Sequence, residues 1–293
     1  MVSGSLLLQL IFSGLSNGAV YALIATGFVV IYNIRGIINF AQGEFVAIGA
    51  LLASSLLMSG FPYFVAVLLA IVATALLGAS IDLLAIRPAR RSNEVTLIII
   101  TIGISMFLRG LAIMIWGTQT YSLPPFTPLN AIQIFGASIA LQEIWILVTM
   151  AVVMFFLYVL FDRTVLGSAM RAAMSNPLGS RLIGINTSSM STIAFVISGA
   201  LGAVGGISLT PISLATYNMG LMLGLKGFVA MVLGGMVSIP GAVAGAFLLG
   251  ILESLSSGLL SSAFRDAIAF FILILVLVFR PHGLFRRGGT ERV

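Results

Sequence analysis

The sequence predicts an all-α integral membrane fold, a polytopic helical bundle with eight or nine transmembrane helices in a single domain spanning 1–293. Three observations predict it. Hydrophobic residues make up 60% of the chain and charged residues only 8%, against about 25% charged residues in a soluble protein. With so few charges the chain cannot cover a water-facing surface, and lipid is the alternative solvent. Apolar runs of about 20 residues, the length a helix needs to cross a bilayer, recur along the whole chain. The cationic residues fall between those runs and gather on alternate connections, as in proteins whose topology is set by the positive-inside rule.

Taken in order, the candidate spans are roughly 6–32, 40–59, 62–86, 95–116, 142–161, 190–209, 221–237, 240–257 and 264–280. The N-terminal MVSGSLLLQL lacks the basic segment of a secretory signal, so its apolar stretch reads as a retained span. The pair 221–237 and 240–257 is short and meets around Ser238, Ile239 and Pro240, so eight spans plus one broken or re-entrant helix is the alternative. If 87–94 faces the cytoplasm, eleven arginines share that side: Arg35, Arg87, Arg90, Arg91, Arg163, Arg171, Arg181, Arg280, Arg286, Arg287 and Arg292. Only Arg265 lies opposite, and Arg109 and Lys226 fall inside spans. That asymmetry puts the N-terminus outside and the C-terminus inside, which requires an odd number of crossings. Of the longer connections, 117–141 is uncharged and outside, with β-prone runs around Phe135 and Gly136 that predict a small hairpin. The inner connection, 162–189, is the more informative one.

Several chemistries are excluded. The basic balance of +6 is scattered between apolar runs, so it does not form a nucleic-acid patch. There is no cysteine, hence no disulfide, thiol nucleophile or cysteine-ligated metal. No phosphate-binding G-x-x-x-x-G-K-[ST] loop exists, and the one lysine, Lys226, lies in LGLKGF. The one histidine, His282, has no partner with which to build a metal or catalytic site. No cofactor or metal site is legible, and an enzyme is not indicated. Active transport would then draw on an ion gradient or on a separate ATPase.

Charges inside spans are costly and mark function by default. The candidates are Glu44, Asp82, Arg109, Lys226 and Glu253. Asp82 and Glu253 each lie about one turn from a span end, within reach of the interface by snorkelling. Arg109 is deeper and either pairs with an acid or lines a cavity. Glu44 follows Asn39, Gln42, Gly36 and Gly43, a polar, poorly helical run. In lipid such backbone is tolerated where it is buried in protein or lines a wet cavity, so Asn39, Gln42 and Glu44 are the expected lining of a solute path. The bland reading is an inner loop before a span that begins at Phe45. Lys226 either joins that path or snorkels outward. It lies among glycines at G-x-x-x-G spacing, Gly220/Gly224 and Gly241/Gly245, a pattern also formed by Gly14/Gly18, which lets helices approach closely. The Glu44 and Lys226 regions, roughly 180 residues apart, each lead a polar glycine-containing segment into a small-residue helix, as inverted-repeat transporters do.

The inner connection predicts two short helices. The first runs from about Gly167 to Met174. Asn176 then caps a second, with Pro177 at its first position and Gly184 as terminator. Leu178, Leu182 and Ile183 share one face beside Arg181, so this amphipathic element either rests on lipid headgroups or fits a groove of another protein.

The run Asn176 to Asn186, NPLGSRLIGIN, preceded by an Ala/Gly-rich helix, resembles the loop by which bacterial ABC importer permeases engage their ATPase subunits. The run Asn17 to Ala50, NGAVYALIATGFVVIYNIRGIINFAQGEFVAIGA, is similar to the first spans of LivH-type permeases of branched-chain amino acid importers. The length and the Arg-rich RPHGLFRRG agree with that family. The resemblance implies a bacterial inner-membrane permease that works with a homologous LivM-like permease, two ATP-binding-cassette ATPases, and a periplasmic or lipid-anchored solute-binding protein. It implies that Gly167, Arg171, Asn176, Pro177, Arg181, Leu182 and Gly184 serve ATPase coupling. Relatives carry aliphatic amino acids, and others carry urea, amides or aromatic acids. Two rivals stand beside this reading: an ion-coupled secondary transporter using Glu44, Asp82 or Glu253, and a passive channel for a small neutral solute.

Overall fold

The computed structural model describes residues 4–89, 92–127, 131–134, 136–259, 261–262, 264–280 and 283–284. The topological assignments of Arg90, Arg91, Arg286, Arg287 and Arg292, and the readings at Phe135 and His282, lie outside these residues.

The described chain is all-α apart from one hairpin. The helices are α1 (Gly4–Arg35), α2 (Gln42–Met58), α3 (Tyr63–Ile81), which runs on through a π-helical turn at Asp82–Ile86, and α4 (Glu94–Trp116). A two-stranded antiparallel hairpin follows, β1 (Ala131–Ile134) and β2 (Ala137–Ala140), with Ala131 opposite Ala140. Then come α5 (Leu141–Arg163), α6 (Val165–Ser175), α7 (Pro177–Leu182), α8 (Thr187–Ser213), α9 (Met219–Gly234), α10 (Ile239–Leu259) and α11 (Phe264–Phe279). Six described helices are long and apolar enough to cross a membrane, and α2 and α9 are shorter apolar helices. Every run expected from hydropathy is a helix, with ends shifted by a few residues.

Burial sorts the helices into two layers. In the most apolar stretch of α1, 89% of residues are buried, against 17% in α5. A helix that is apolar all round and buried all round belongs at the centre, and α1 sits there against α8, α9 and α10. The outer helices turn large apolar side chains away from the protein: Phe64 and Leu68 of α3, Phe107 and Met114 of α4, Phe155 and Phe156 of α5, and Phe271 and Val278 of α11. In water such a surface would aggregate; in lipid it is solvated.

Glycine sets the inner spacing. A Cβ at Gly250 of α10 would lie 2.4 Å from the Gly14 carbonyl of α1, and one at Gly206 of α8 would lie 2.1 Å from the Val46 carbonyl of α2. Gly78 of α3 meets the Phe195 carbonyl of α8 at 2.3 Å in the same sense. Backbones that close exclude any side chain between them.

Two of the shorter apolar helices, α2 and α9, start abruptly after irregular backbone. Residues 36–41 are non-helical, and their polar groups are met locally: Thr101 of α4 accepts from Phe40 N–H (3.1 Å), and Asn39 Oδ1 accepts from Ala41 N–H (3.2 Å). Before α9, Leu214 adopts φ +59° and Ala215 exchanges backbone hydrogen bonds of 2.9 and 2.7 Å with Tyr121. The two helix starts meet, since a Cβ at Gly43 would fall 2.1 Å from the Gly220 carbonyl. Thr101 lies about 10 Å along α4 from its first residue, so α2 begins about two helical turns up α4 from that end.

The connection between α5 and α8 forms an elbow. Thr164 caps α6 by accepting from Gly167 N–H (3.0 Å), which starts the helix two residues before the predicted Gly167. Asn176 accepts from Gly179 N–H (2.8 Å), Pro177 opens α7, Gly184 takes φ +87°, and Asn186 caps α8.

Gly250→Ala should lower the melting temperature of the protein in detergent, by about 1–3 kcal/mol of overpacking. Gly103→Ala, whose Cβ meets nothing within 4 Å, should leave it unchanged or raise it.

Candidate functional site

Among the described residues, the buried acids Glu44, Asp82 and Glu253 anchor three charge clusters, each joining different helices. The first lies at the start of α2. Glu44 is 1% exposed, and its Oε1 accepts from Arg109 Nη2 (2.6 Å) and from the Ser105 hydroxyl (2.8 Å), both on α4. The orientation follows from the helix period, since Ser105 and Arg109 stand one turn apart on one face. Arg109 also lines a cavity of about 130 Å³ whose walls include Phe28, Phe40, Ile102, Met106, Leu221 and Leu225. Both alternatives for Arg109 are therefore realised at once.

The four residues expected in a solute path separate. Glu44 stands behind Arg109 at the cavity. Asn39 is fully buried, uses Oδ1 on the turn before α2, and leaves Nδ2 without a partner. Gln42 faces the other way: its amide donates to the Ser198 carbonyl of α8 (3.2 Å) and its Oε1 accepts from the Ser198 hydroxyl, beside Gly27. Lys226 is in a different cluster altogether.

That second cluster corrects an expectation. Glu253 does not reach the interface; it is 0% exposed. Its carboxylate accepts from Lys226 Nζ (2.7 Å), Arg265 Nε (2.5 Å) and the Tyr21 hydroxyl (2.8 Å). Lys226, 5% exposed, does not snorkel, and also meets Asp266 at 2.7 Å. The cluster ties α1, α9, α10 and α11 together. It holds two acids and two bases, so none of these charges lacks a counter-charge.

The third cluster corrects Asp82, which is also fully buried. It accepts from Arg35 (3.0 Å), Ser191 (2.7 Å) and Thr192 (2.7 Å), with Arg87 at 3.8 Å. This joins the elbow end of α1 and α3 to the first turns of α8. The snorkelling expectation failed for both acids because a partner on a neighbouring helix offers a better site than the interface. Tyr21, Ser105, Ser191, Thr192 and Asp266 were not singled out from sequence. Only the Ser105/Arg109 spacing carried a signal that could have found one of them.

In the elbow, Leu178, Leu182 and Ile183 are 74, 89 and 75% exposed, a compact apolar face on a charged, capped turn. Arg181 donates to the Thr187 hydroxyl (2.9 Å), bracing α7 on α8. Arg171 pairs with Asp162 at 2.8 Å and caps the Phe161 carbonyl. Gly167 is buried at the joint, where a Cβ would lie 2.2 Å from the Leu160 carbonyl. The elbow thus presents α7 outward and keeps α6 against α5.

Glu253→Ala should destabilise the protein by about 3 kcal/mol or more, because Arg265 and Lys226 lose a shared buried counter-charge. Lys226→Met should cost less, since Glu253 retains Arg265 and Tyr21. Thermal melting in one detergent ranks the two.

The family described as "Branched-chain amino acid transport system / permease component" matches residues 10–277. The chain is 36% identical to the high-affinity branched-chain amino acid transport system permease protein BraD of Pseudomonas aeruginosa, over 98% of each chain. It is 36% identical to LivH of Escherichia coli, covering 98% of this chain and 97% of that one. Among solved structures, PsaBC from Streptococcus pneumoniae in complex with Fab is 14% identical, covers 92% of this chain and 91% of that chain, and has a TM-score of 0.48.

Proposed function

This chain belongs to the branched-chain amino acid transport permease family, and from that premise we propose that it carries branched-chain amino acids inward as the membrane-spanning subunit of an ATP-driven importer. Nucleotide hydrolysis takes place on two separate ATP-binding-cassette subunits. A homologous permease completes the membrane part, and a periplasmic or lipid-anchored binding protein delivers the solute. The observation that carries the ATPase assignment is the elbow: an apolar face on Leu178, Leu182 and Ile183, projected outward on a capped helix and braced to α8 through Arg181. An amphipathic helix presented this way fits a groove in a partner.

The chain crosses the bacterial inner membrane nine times, through α1–α5 and α8–α11, with its N-terminus outside and the elbow in the cytoplasm. The arginine asymmetry supports this orientation. The four-helix units α1–α4 and α8–α11 are inverted repeats of one another. Packing supports the match: α1 lies on α10 as α8 lies on α3, and α2 lies on α8 as α9 lies on α1. The starts of α2 and α9, each after an irregular segment, correspond and meet at Gly43 and Gly220. Discontinuous helices meeting within the membrane are where transporters of this kind hold solute.

The pairing of Glu44, Asp82 and Glu253 with arginine or lysine favours the importer over an ion-coupled carrier. A carboxylate that takes up and releases a proton or sodium ion during transport is poorly served by a permanent cationic partner. Affinity for the solute then rests with the binding protein, and the membrane path needs only weak contacts.

Leu182→Asp should abolish co-purification of the ATPase subunits and ATP-driven uptake, with the melting temperature of the isolated permease unchanged, because Leu182 touches little within the chain. Normal uptake by this variant would place the docking surface elsewhere.

A further inference from the structure

The cavity beside α2 has one charged side chain in its wall. Arg109 spends Nη2 on Glu44 and approaches Ser105 at 3.4 Å, and a quarter of its side chain stays exposed. A guanidinium carries five N–H donors, and those not spent within the protein remain for an arriving acceptor. Apart from Ser105, the rest of the wall is apolar, with Phe28, Phe40, Met106 and Leu225. At about 130 Å³, the space approaches the roughly 150 Å³ of an apolar protein cavity that admits benzene. A small anion with a short apolar body satisfies both features; a neutral amide offers the guanidinium a weaker, uncharged acceptor.

We propose that Arg109 recognises the carboxylate of a small aliphatic amino acid in this cavity during its passage, with Glu44 as the positioning residue that holds the guanidinium in place. This rests on the importer reading and deepens it by naming the side chain that meets the solute's carboxylate. Glu44 does two things. It fixes the guanidinium against α4, and it offsets most of the positive charge, so that an arriving carboxylate is held loosely and released. A bare arginine at this depth would retain an anion too well for a transport path.

Because the chain has no cysteine, Met106→Cys introduces a single thiol on the cavity wall. The permease is assembled with its partner permease and ATPases in proteoliposomes, without binding protein, and labelled with methanethiosulfonate ethylammonium. Millimolar leucine should slow labelling, and leucinamide should need at least about tenfold more to slow it equally, the worth of a charge-assisted hydrogen bond. Adding Arg109→Gln should remove the protection by leucine, and Arg109→Lys should restore part of it. Equal protection by leucinamide, no protection by leucine, or protection that survives Arg109→Gln would overturn the proposal. If Arg109→Gln does not assemble, the leucine-against-leucinamide comparison in Met106→Cys alone decides. ATP-driven leucine uptake, measured with binding protein added to proteoliposomes of the unmodified complex, separates the two readings. Uptake without leucine-selective protection sinks the site and leaves the importer; protection without uptake does the reverse.

Discussion

Helices dissolved in lipid gain nothing hydrophobic by associating, since lipid tails solvate leucine as well as another helix does, so close packing and polar contacts must hold them together. In this protein close packing is obtained by removing side chains. Gly14 and Gly250 bring α1 onto α10, Gly206 brings α8 onto α2, and Gly43 with Gly220 brings the beginnings of α2 and α9 together. The last of these contacts has the widest consequences. It brings the ends of two irregular segments together without a gap, and it delivers Glu44 to the face of α4 that carries Ser105 and Arg109.

Once helices are that close, charge becomes a specifying element rather than a liability. A buried ion pair adds little net stability against an apolar replacement, but breaking one is expensive. Each cluster links different helices: Glu44 joins α2 to α4, Asp82 joins α1 and α3 to α8, and Glu253 joins α1 and α10 to α9 and α11. Bundles of uniformly apolar helices can slide in register. Matching acids to bases on particular neighbours disfavours every register but one.

Helix positions were legible because hydropathy and capping are local. The elbow is legible almost residue by residue, since Asn176, Pro177 and Gly184 each act on backbone within three residues of themselves. Even the irregular start of α2 showed in its glycine and polar content. The charge partners did not show, because snorkelling is judged along one helix while Asp82 bonds Ser191 at a separation of 109 residues, and Tyr21 bonds Glu253 at 232. Gln42 and Glu44 illustrate the remaining gap. Two residues apart, they share one polar run, yet the helix turn sends Gln42 to Ser198 and Glu44 to Arg109. Composition identified the segment as special but could not assign its faces.

The helix that meets the elbow is also the one that meets the site. α8 begins at the Asn186 cap just after α7, binds Asp82 through Ser191 and Thr192 in its first turns, and holds Gln42 through Ser198 one to two turns further on. Beyond that, Gly202 and Gly206 pack on Phe45 and Val46 of α2. A continuous helix therefore runs from the elbow to the start of α2, where Gln42 lies two residues from Glu44. Rotation of α8 cannot leave that start in place, because the Gln42 hydrogen bonds and the glycine contacts admit almost no slack. Displacing the start of α2 would in turn move Glu44 relative to α4, altering the hold on Arg109. In the proposed importer, force applied at Leu182 would reach Arg109 through this one helix and the start of α2.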